Sequence, residues 1–359
     1  TFYNSVMYKI IRFLMFLFPA EKAHNAIVFF IKSARYIPCL PWLLKKNLSV
    51  NDRALEKELF GLTFKNPIGF AAGFDKNAEI FDMLGNFGFS FVEIGTVTPK
   101  SQSGNPKPRC FRLKKDNALV NRMGFNNDGL SVIIKRLRTK KDGRVIVGGN
   151  IGKNTMVPNT DAVSDYLKTF KGLYDYVDYF TVNVSCPNVS NLTRLQNKPD
   201  LEILLKSLVN ERKYMDVYKP VLVKISPDLS FEQIDDTLYI IRETGIDGVV
   251  ATNTTTSREG LKSSAKEIDE TGQGGLSGQP LTKRALEIVR YIHEQTSGKL
   301  PIIAVGGIMT VADAVNMLDA GADLIQLYTG YIYQGPSFVK KIQKALLKKM
   351  KNNVLSCHT

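Results

Sequence analysis

The chain has 359 residues, 44% of them apolar, and a formal net charge of +14. That length suits two average domains or one large barrel, and the apolar share is that of a globular protein with a full core. Four cysteines (Cys39, Cys110, Cys186, Cys357) form no CxxC pair and three histidines (His24, His293, His358) share no local spacing, which argues against a disulfide framework or a metal site and for a reducing compartment.

Basic proteins commonly meet nucleic acid, acidic membranes or anionic ligands. Here the positive charge is spread out. Its small clusters at 45–46, 135–141 and 348–351 read as solvated helix faces, and no nucleic-acid motif is present.

From the N-terminus, Phe2, Val6, Met7, Ile10, Phe13, Leu14 and Leu17 recur at helical spacing with Lys9 and Arg12 between them. They predict a helix over 2–18, which Pro19 ends. A second helix over 20–34 carries Ile27, Val28, Phe30 and Ile31. The apolar run at 13–18 is far below the roughly 20 residues of a bilayer span, and no cleavable signal or Arg- and Ser-rich leader pattern precedes it. Two short helices this rich in aromatics read as an interfacial hairpin in the headgroup region or as a pair packed on the main domain. Residues 43–60 read as a charged linker. The expected plan is a helical unit over 1–45, a barrel over 46–350 and a tail over 351–359.

From Lys65 onward short apolar runs recur: IGFAA (68–72), FVEIGT (91–96), VIVGGN (145–150), YFTVNV (179–184), VLVKI (221–225), GVVAT (248–252), IIAVG (302–306) and LIQLY (324–328). Continuous β-rich runs are expected of strands buried on both faces. Eight of them alternating with helices predict an α/β fold, a (β/α)8 barrel, with a doubly wound sheet as the alternative.

Polar residues fall at or just past the C-terminal ends of these strands, the end that carries chemistry in barrels. They are Asn150, Asn183, Lys224, Thr252, Asn253, Gly306, Gly307, Tyr328 and Thr329. A lysine in an apolar strand, such as Lys224, requires an anionic or polar partner. GGLSG (274–278) and VGGI (305–308) read as loops with backbone amides free to meet an anion, and YTG (328–330) follows strand eight. Loops after strands seven and eight commonly form a phosphate site. The ligand is then a phosphate with a body reaching Lys224 and Asn150, which a flavin mononucleotide fits.

AAGFDKNAE (71–79) sets Lys76 beside Asp75 after strand one, and NRMGFNN (121–127) is a polar loop after strand two. One cation with several amides suits a flat, carboxylate-bearing, amide-rich substrate, although a surface ion pair of Lys76 with Asp75 or Glu79 is also open. TVNVSCPN (181–188) is a strand stopping at a Ser-Cys-Pro-Asn turn, with Cys186 between Asn183 and Asn188. Alone, Cys186 reads as a small buried hydrophobe; among the polar groups of the rim it reads as a titratable thiol.

Taken together, GFAAGFDKN, EIGTVTPKSQSGNPKPR, NRMGFNN, NIGKN, NVSCPN, VKISPDLS, ATNTT, GGLSG, AVGGI and QLYTG resemble the dihydroorotate dehydrogenase family, in order, over about residues 50 to 349. The N-terminal helical pair resembles the extension of the membrane-associated, quinone-linked class 2 enzymes. The resemblance implies bound FMN, oxidation of (S)-dihydroorotate to orotate in pyrimidine biosynthesis, and quinone as acceptor. It implies FMN contacts from Ala72, Gly73, Phe74, Asp75, Lys76, Thr96, Asn150, Asn183, Lys224, Thr252, Gly278, Gly307, Tyr328 and Thr329. It implies substrate contacts from Lys76, Asn121, Arg122, Met123, Gly124, Phe125, Asn183, Asn188, Asn253 and Thr254. His24, Arg112 and Tyr328 are implied to line the quinone tunnel, and Cys186 to be the catalytic base.

Class 2 enzymes usually place Ser where this chain has Cys186, and Cys there is the habit of the soluble class 1 enzymes. A class 1-like enzyme using fumarate or NAD is therefore a rival reading, with another flavin barrel such as a dihydrouridine synthase, or a flavin-storing membrane protein, more distant. A thiol ionises more easily than a serine hydroxyl, so a base limb nearer neutrality is expected. The expected assembly is a monomer without nucleic acid, peripheral on the cytoplasmic face of a bacterial inner membrane, or on the mitochondrial inner membrane in a eukaryote.

Overall fold

A computed structural model of the chain describes residues 2–138, 145–189 and 192–356, with side chains described from Met7 to Asn352 within those ranges. Thr1, positions 139–141 of the basic cluster and residues 357–359 of the expected tail, which hold Cys357 and His358, lie outside the described residues, as do the side chains of Phe2 and Val6.

All eight predicted strands form, in sequence: β1 (Ile68–Phe70), β2 (Phe91–Val97), β3 (Ile146–Ile151), β4 (Tyr179–Asn183), β5 (Val221–Ile225), β6 (Gly248–Ala251), β7 (Ile302–Val305) and β8 (Leu324–Leu327). Each pairs parallel with its neighbour in sequence, and β8 pairs with β1, so the sheet closes. Their apolar residues face the interior on one side and the helix ring on the other. Closure leaves no exposed edge, which is why each run reads as continuously apolar.

Residues 43–60 are ordered rather than a linker. A helix, α3 (Leu40–Leu48), is followed by a two-stranded hairpin, Lys57–Leu59 with Leu62–Phe64. The hairpin plugs the N-terminal mouth of the barrel: Phe64 packs with Phe91, Tyr179, Leu222, Val250, Ile303 and Leu324. The GGLSG segment is likewise a strand, Gly275–Gly278, rather than a free loop. It joins Ala118–Asn121 and Cys110–Leu113 in a three-stranded antiparallel sheet above the C-terminal mouth.

The two N-terminal helices are α1 (Phe2–Phe16) and α2 (Ala20–Ala34). They lie over the same mouth: Arg12 donates to the carbonyl of Tyr333 (2.6 Å), Arg112 to that of Phe18 (2.6 Å), and Arg35 to that of Glu79 (2.7 Å). Among the described residues no helix is long and apolar enough to cross a membrane. The last helix runs Phe338–Ser356, through most of the expected tail.

Candidate active site

The floor of the site is built around one carboxylate. Glu93, in the middle of β2, is fully buried. It accepts hydrogen bonds from Asn150 Nδ2 (2.7 Å), Gln326 Nε2 (2.8 Å), Thr181 Oγ1 (3.0 Å) and the Tyr179 hydroxyl (3.3 Å). Four donors are what a buried carboxylate needs to be tolerated. Above it a second layer forms. Thr96 donates to Asn150 Oδ1 (2.5 Å), and Asn183 Nδ2 donates to Thr96 Oγ1 (2.9 Å) and Asn150 Oδ1 (3.2 Å). Asn253 Nδ2 reaches Ser185 Oγ (3.0 Å) and Asn183 Oδ1 (3.3 Å). The network holds the amides of β3, β4 and the β6 end in one orientation.

Over this floor opens a cavity of about 470 Å³. Cys186, Lys76 and Lys224 all line it. Burial pushes the Cys186 thiol up to about 11, opposed by the Asn188 amides and the two lysines. Burial pushes Lys76 down to about 8, and Lys224 is lowered for the same reason, against the pull of Glu93 and Cys186. Lys76 forms neither of the alternative ion pairs, with Asp75 or with Glu79. Asp75 instead accepts from the backbone of Glu79 (2.7 Å) and Ile80 (2.9 Å), and Glu79 pairs with Lys32 (2.8 Å). Among the described residues Lys76 and Lys224 have no hydrogen-bonded or ion-paired partner. Two cations lining one cavity, Lys224 buried and Lys76 partly so, call for an anionic ligand.

One end of the cavity is a backbone cradle from Gly278, Gly306, Gly307, Thr329 and Gly330. Gly307 has φ 69, and a Cβ there would lie 2.2 Å from Thr282 Cα, so only glycine allows this close turn. The opposite wall comes from Asn121, Met123, Gly124, Phe125, Asn188 and Thr254. Asn188 Nδ2 donates to Asn121 Oδ1 (3.1 Å), joining the Cys186 turn to the strand Ala118–Asn121. Ala72, Gly73, Phe74, Thr96, Asn183, Thr252, Asn253 and Tyr328 also line the cavity.

Three residues expected to touch ligand face elsewhere. Asp75 caps the backbone as above, and the carboxyl is held up at about 6 by its burial. Asn150 lies a layer below the cavity, between Glu93 and Thr96. The Arg122 guanidinium turns outward, donating to the Pro108 carbonyl (3.0 Å) and resting over Phe111. Sequence reasoning missed Glu93, Gln326 and Ser277, which donates to or accepts from Thr329 (2.8 Å). A lone charge inside the apolar run FVEIGT was the available signal for Glu93.

The same cavity continues between α1 and α2, along Tyr8, Ile11, Met15, Phe16, Ala23, Ile27 and Ile31. His24 stands at the junction, edge-on to Phe74 at 4.7 Å. Burial and the nearby Lys76 push its pKa down to about 3, so the imidazole is neutral. Arg112 lies over the Phe16 ring at 4.4 Å, and Cys110 and Tyr328 close the inner end. An apolar passage thus leads from the outer helices to the polar chamber.

The model of the dihydroorotate dehydrogenase family matches residues 54–350. The chain belongs to the dihydroorotate dehydrogenase family. It is 51% identical over 344 residues to a protein of Christiangramia forsetii named dihydroorotate dehydrogenase (quinone), covering 96% of this chain and 99% of that one. A Roseiflexus castenholzii protein of the same name is 44% identical, covering 97% and 94%. The ligand-free DHODH of Eimeria tenella superposes with a TM-score of 0.84 at 35% identity, covering 93% of this chain and 96% of that one. As a family member the protein is a flavin-dependent oxidoreductase on a (β/α)8 barrel. The glycine cradle and the unpaired Lys224 fit a flavin bearing a phosphate.

Proposed function

We propose that the protein oxidises (S)-dihydroorotate to orotate with FMN and passes the electrons to a quinone, acting as a monomer on a membrane surface in pyrimidine biosynthesis. The observation that carries this reading is one continuous cavity. Its polar chamber holds Cys186, Lys76 and the asparagine set, and its apolar arm runs out between α1 and α2.

Lys76 with Asn121, Asn188 and Asn253 binds the substrate carboxylate and ring amides. Cys186 takes the proton from the ring carbon beside a carbonyl, a role typically worth about 10²–10⁴-fold. FMN, when bound, supplies the acceptor for the hydride leaving the adjacent carbon. Lys224 provides a fixed positive charge beside the acceptor site, and the cradle at Gly278, Gly307 and Thr329 holds a phosphate. His24, Arg112 and Tyr328 meet the quinone at the inner end of the arm, His24 as a neutral imidazole.

The membrane reading is supported by the outer face of the helices. Phe13, Leu17, Phe18, Phe29, Phe30 and Trp42 are exposed there, with Lys9, Lys22, Lys32, Lys45 and Lys46 interleaved. Such a face suits the headgroup region of a bilayer. A working division sets a helical unit over 1–45 against a barrel over 46–350.

The Cys186→Ala variant tests the assignment. It is expected to keep FMN and orotate binding and to lose flavin reduction by dihydroorotate by at least about 10²-fold. Near-parental reduction removes Cys186 as the base. Cys186 alone favours a second reading, a soluble acceptor such as fumarate; turnover with fumarate exceeding that with ubiquinone or menaquinone establishes it.

A further inference from the structure

Arg109 precedes the strand Cys110–Leu113 and is almost fully buried, yet it touches neither the chamber nor the acceptor arm. Every nitrogen of its guanidinium is engaged. Nε and Nη2 grip the Glu21 carboxylate of α2 (3.2 and 2.8 Å to Oε1), and Nη1 donates to the carbonyls of Ser103 (2.5 Å) and Asn105 (3.0 Å). A forked pair of this kind fixes direction as well as distance. Glu21 is the one acid on α1–α3, among Lys9, Arg12, Lys22, Lys32, Arg35, Lys45 and Lys46. It faces inward, pairing with Arg109 and lining the cavity wall near Lys76.

Asn105 carries the connection on. Its Nδ2 donates to the carbonyls of Arg122 (2.9 Å) and Asn188 (3.1 Å), and its backbone N–H to that of Met123 (3.1 Å). Gly124 has φ 71, and a Cβ there would lie 2.7 Å from Asn105 Cγ, so the two are packed without slack. Asn188 is the residue whose amides face the Cys186 thiol. The loops 103–109 and 122–125 lack regular secondary structure, so these bonds set where the chamber's outer wall stands.

Building on the function proposed above, we propose that Arg109, gripped by Glu21 of the acceptor-side helix, is a positioning residue for the dihydroorotate chamber, acting through Asn105 on Asn188 and the Cys186 turn. The helices that line the acceptor's arm then also support the half-reaction in which no acceptor takes part.

The test uses the FMN-loaded full chain without quinone. Orotate affinity is read from the flavin absorption change, and the dihydroorotate dependence of flavin reduction is followed anaerobically. Glu21→Gln is expected to weaken orotate about tenfold and to raise the half-saturating dihydroorotate concentration similarly, with the saturated rate within about threefold of the parent. Arg109→Lys keeps the charge beside Lys76 but loses the fork, and is expected to match Glu21→Gln. Lys22→Gln, a neighbouring charge change on the solvent side of α2, is expected to behave as the parent. Flavin content and thermal midpoint are measured for each variant. Parental orotate affinity in Glu21→Gln overturns the proposal, as does a parental Arg109→Lys or an equal loss in Lys22→Gln. A parent flavin that does not respond to orotate overturns the proposed function itself.

Discussion

Burial does two opposite things to the two groups that would handle dihydroorotate. It pushes the Cys186 thiol up to about 11 and the Lys76 ammonium down to about 8. The base limb, expected nearer neutrality than a serine would give, therefore lies at alkaline pH all the same, because the low-dielectric turn disfavours the thiolate more than Lys76, Lys224 and the Asn188 amides favour it. The signs give a split pH response. A base must lose its proton, so the saturated rate of flavin reduction should climb from about pH 7 to 10 without a plateau. Lys76 must keep its proton to hold a carboxylate. The half-saturating dihydroorotate concentration should therefore rise above about pH 8, by up to about tenfold per unit. Stopped-flow reduction across this range measures both; a saturated rate flat with pH contradicts Cys186 as the base. Cys186, Lys76, Asn121, Asn183, Asn188 and Asn253, which share the cavity, were picked out in sequence as polar or titratable residues in or beside the loops past strand ends. Asn150 lies one layer below the cavity, while Asp75 caps backbone and Arg122 turns outward. Residue type does not report whether an amide at a strand end points into the cavity or down to a carboxylate such as Glu93.

At the scale of elements, Glu93 joins four strands: its own β2, β3 through Asn150, β4 through Tyr179 and Thr181, and β8 through Gln326. Replacing it by Ala leaves several buried donors without an acceptor, at about 1–3 kcal/mol each. Glu93→Ala should lower the unfolding free energy by about 3 kcal/mol or more, seen as a lower denaturant midpoint at an unchanged slope. An unchanged midpoint rules out this role for the carboxylate. The eight barrel strands were readable because each is a continuous apolar run between helical stretches. The three-stranded sheet over the mouth was not. Leu276 pairs with Val120, and GGLSG has too little side chain to read as a strand, so only the tertiary partner reveals it. The same holds for α3 and the hairpin Lys57–Leu59 with Leu62–Phe64, whose charges conceal the buried Phe64.

For the whole molecule, the barrel supplies a rigid floor and the N-terminal helices supply a route to it from outside. Their outward face carries exposed Phe13, Leu17, Phe18, Phe29 and Phe30 beside lysines, and their inward face lines the arm that ends at His24 and Tyr328. On this arrangement the protein should co-sediment with phospholipid vesicles, and Phe29→Ser with Phe30→Ser should weaken that binding by about tenfold or more while leaving flavin reduction by dihydroorotate intact. Co-sedimentation unaffected by both changes contradicts a membrane role for this face. One cavity serves both halves of the proposed reaction, and the visible spectrum of the purified flavoprotein tests this most directly. Anaerobic dihydroorotate should bleach the flavin band, and quinone added afterwards should restore it, whereas fumarate should not; a flavin left oxidised by dihydroorotate, or one restored by fumarate and not by quinone, contradicts the account.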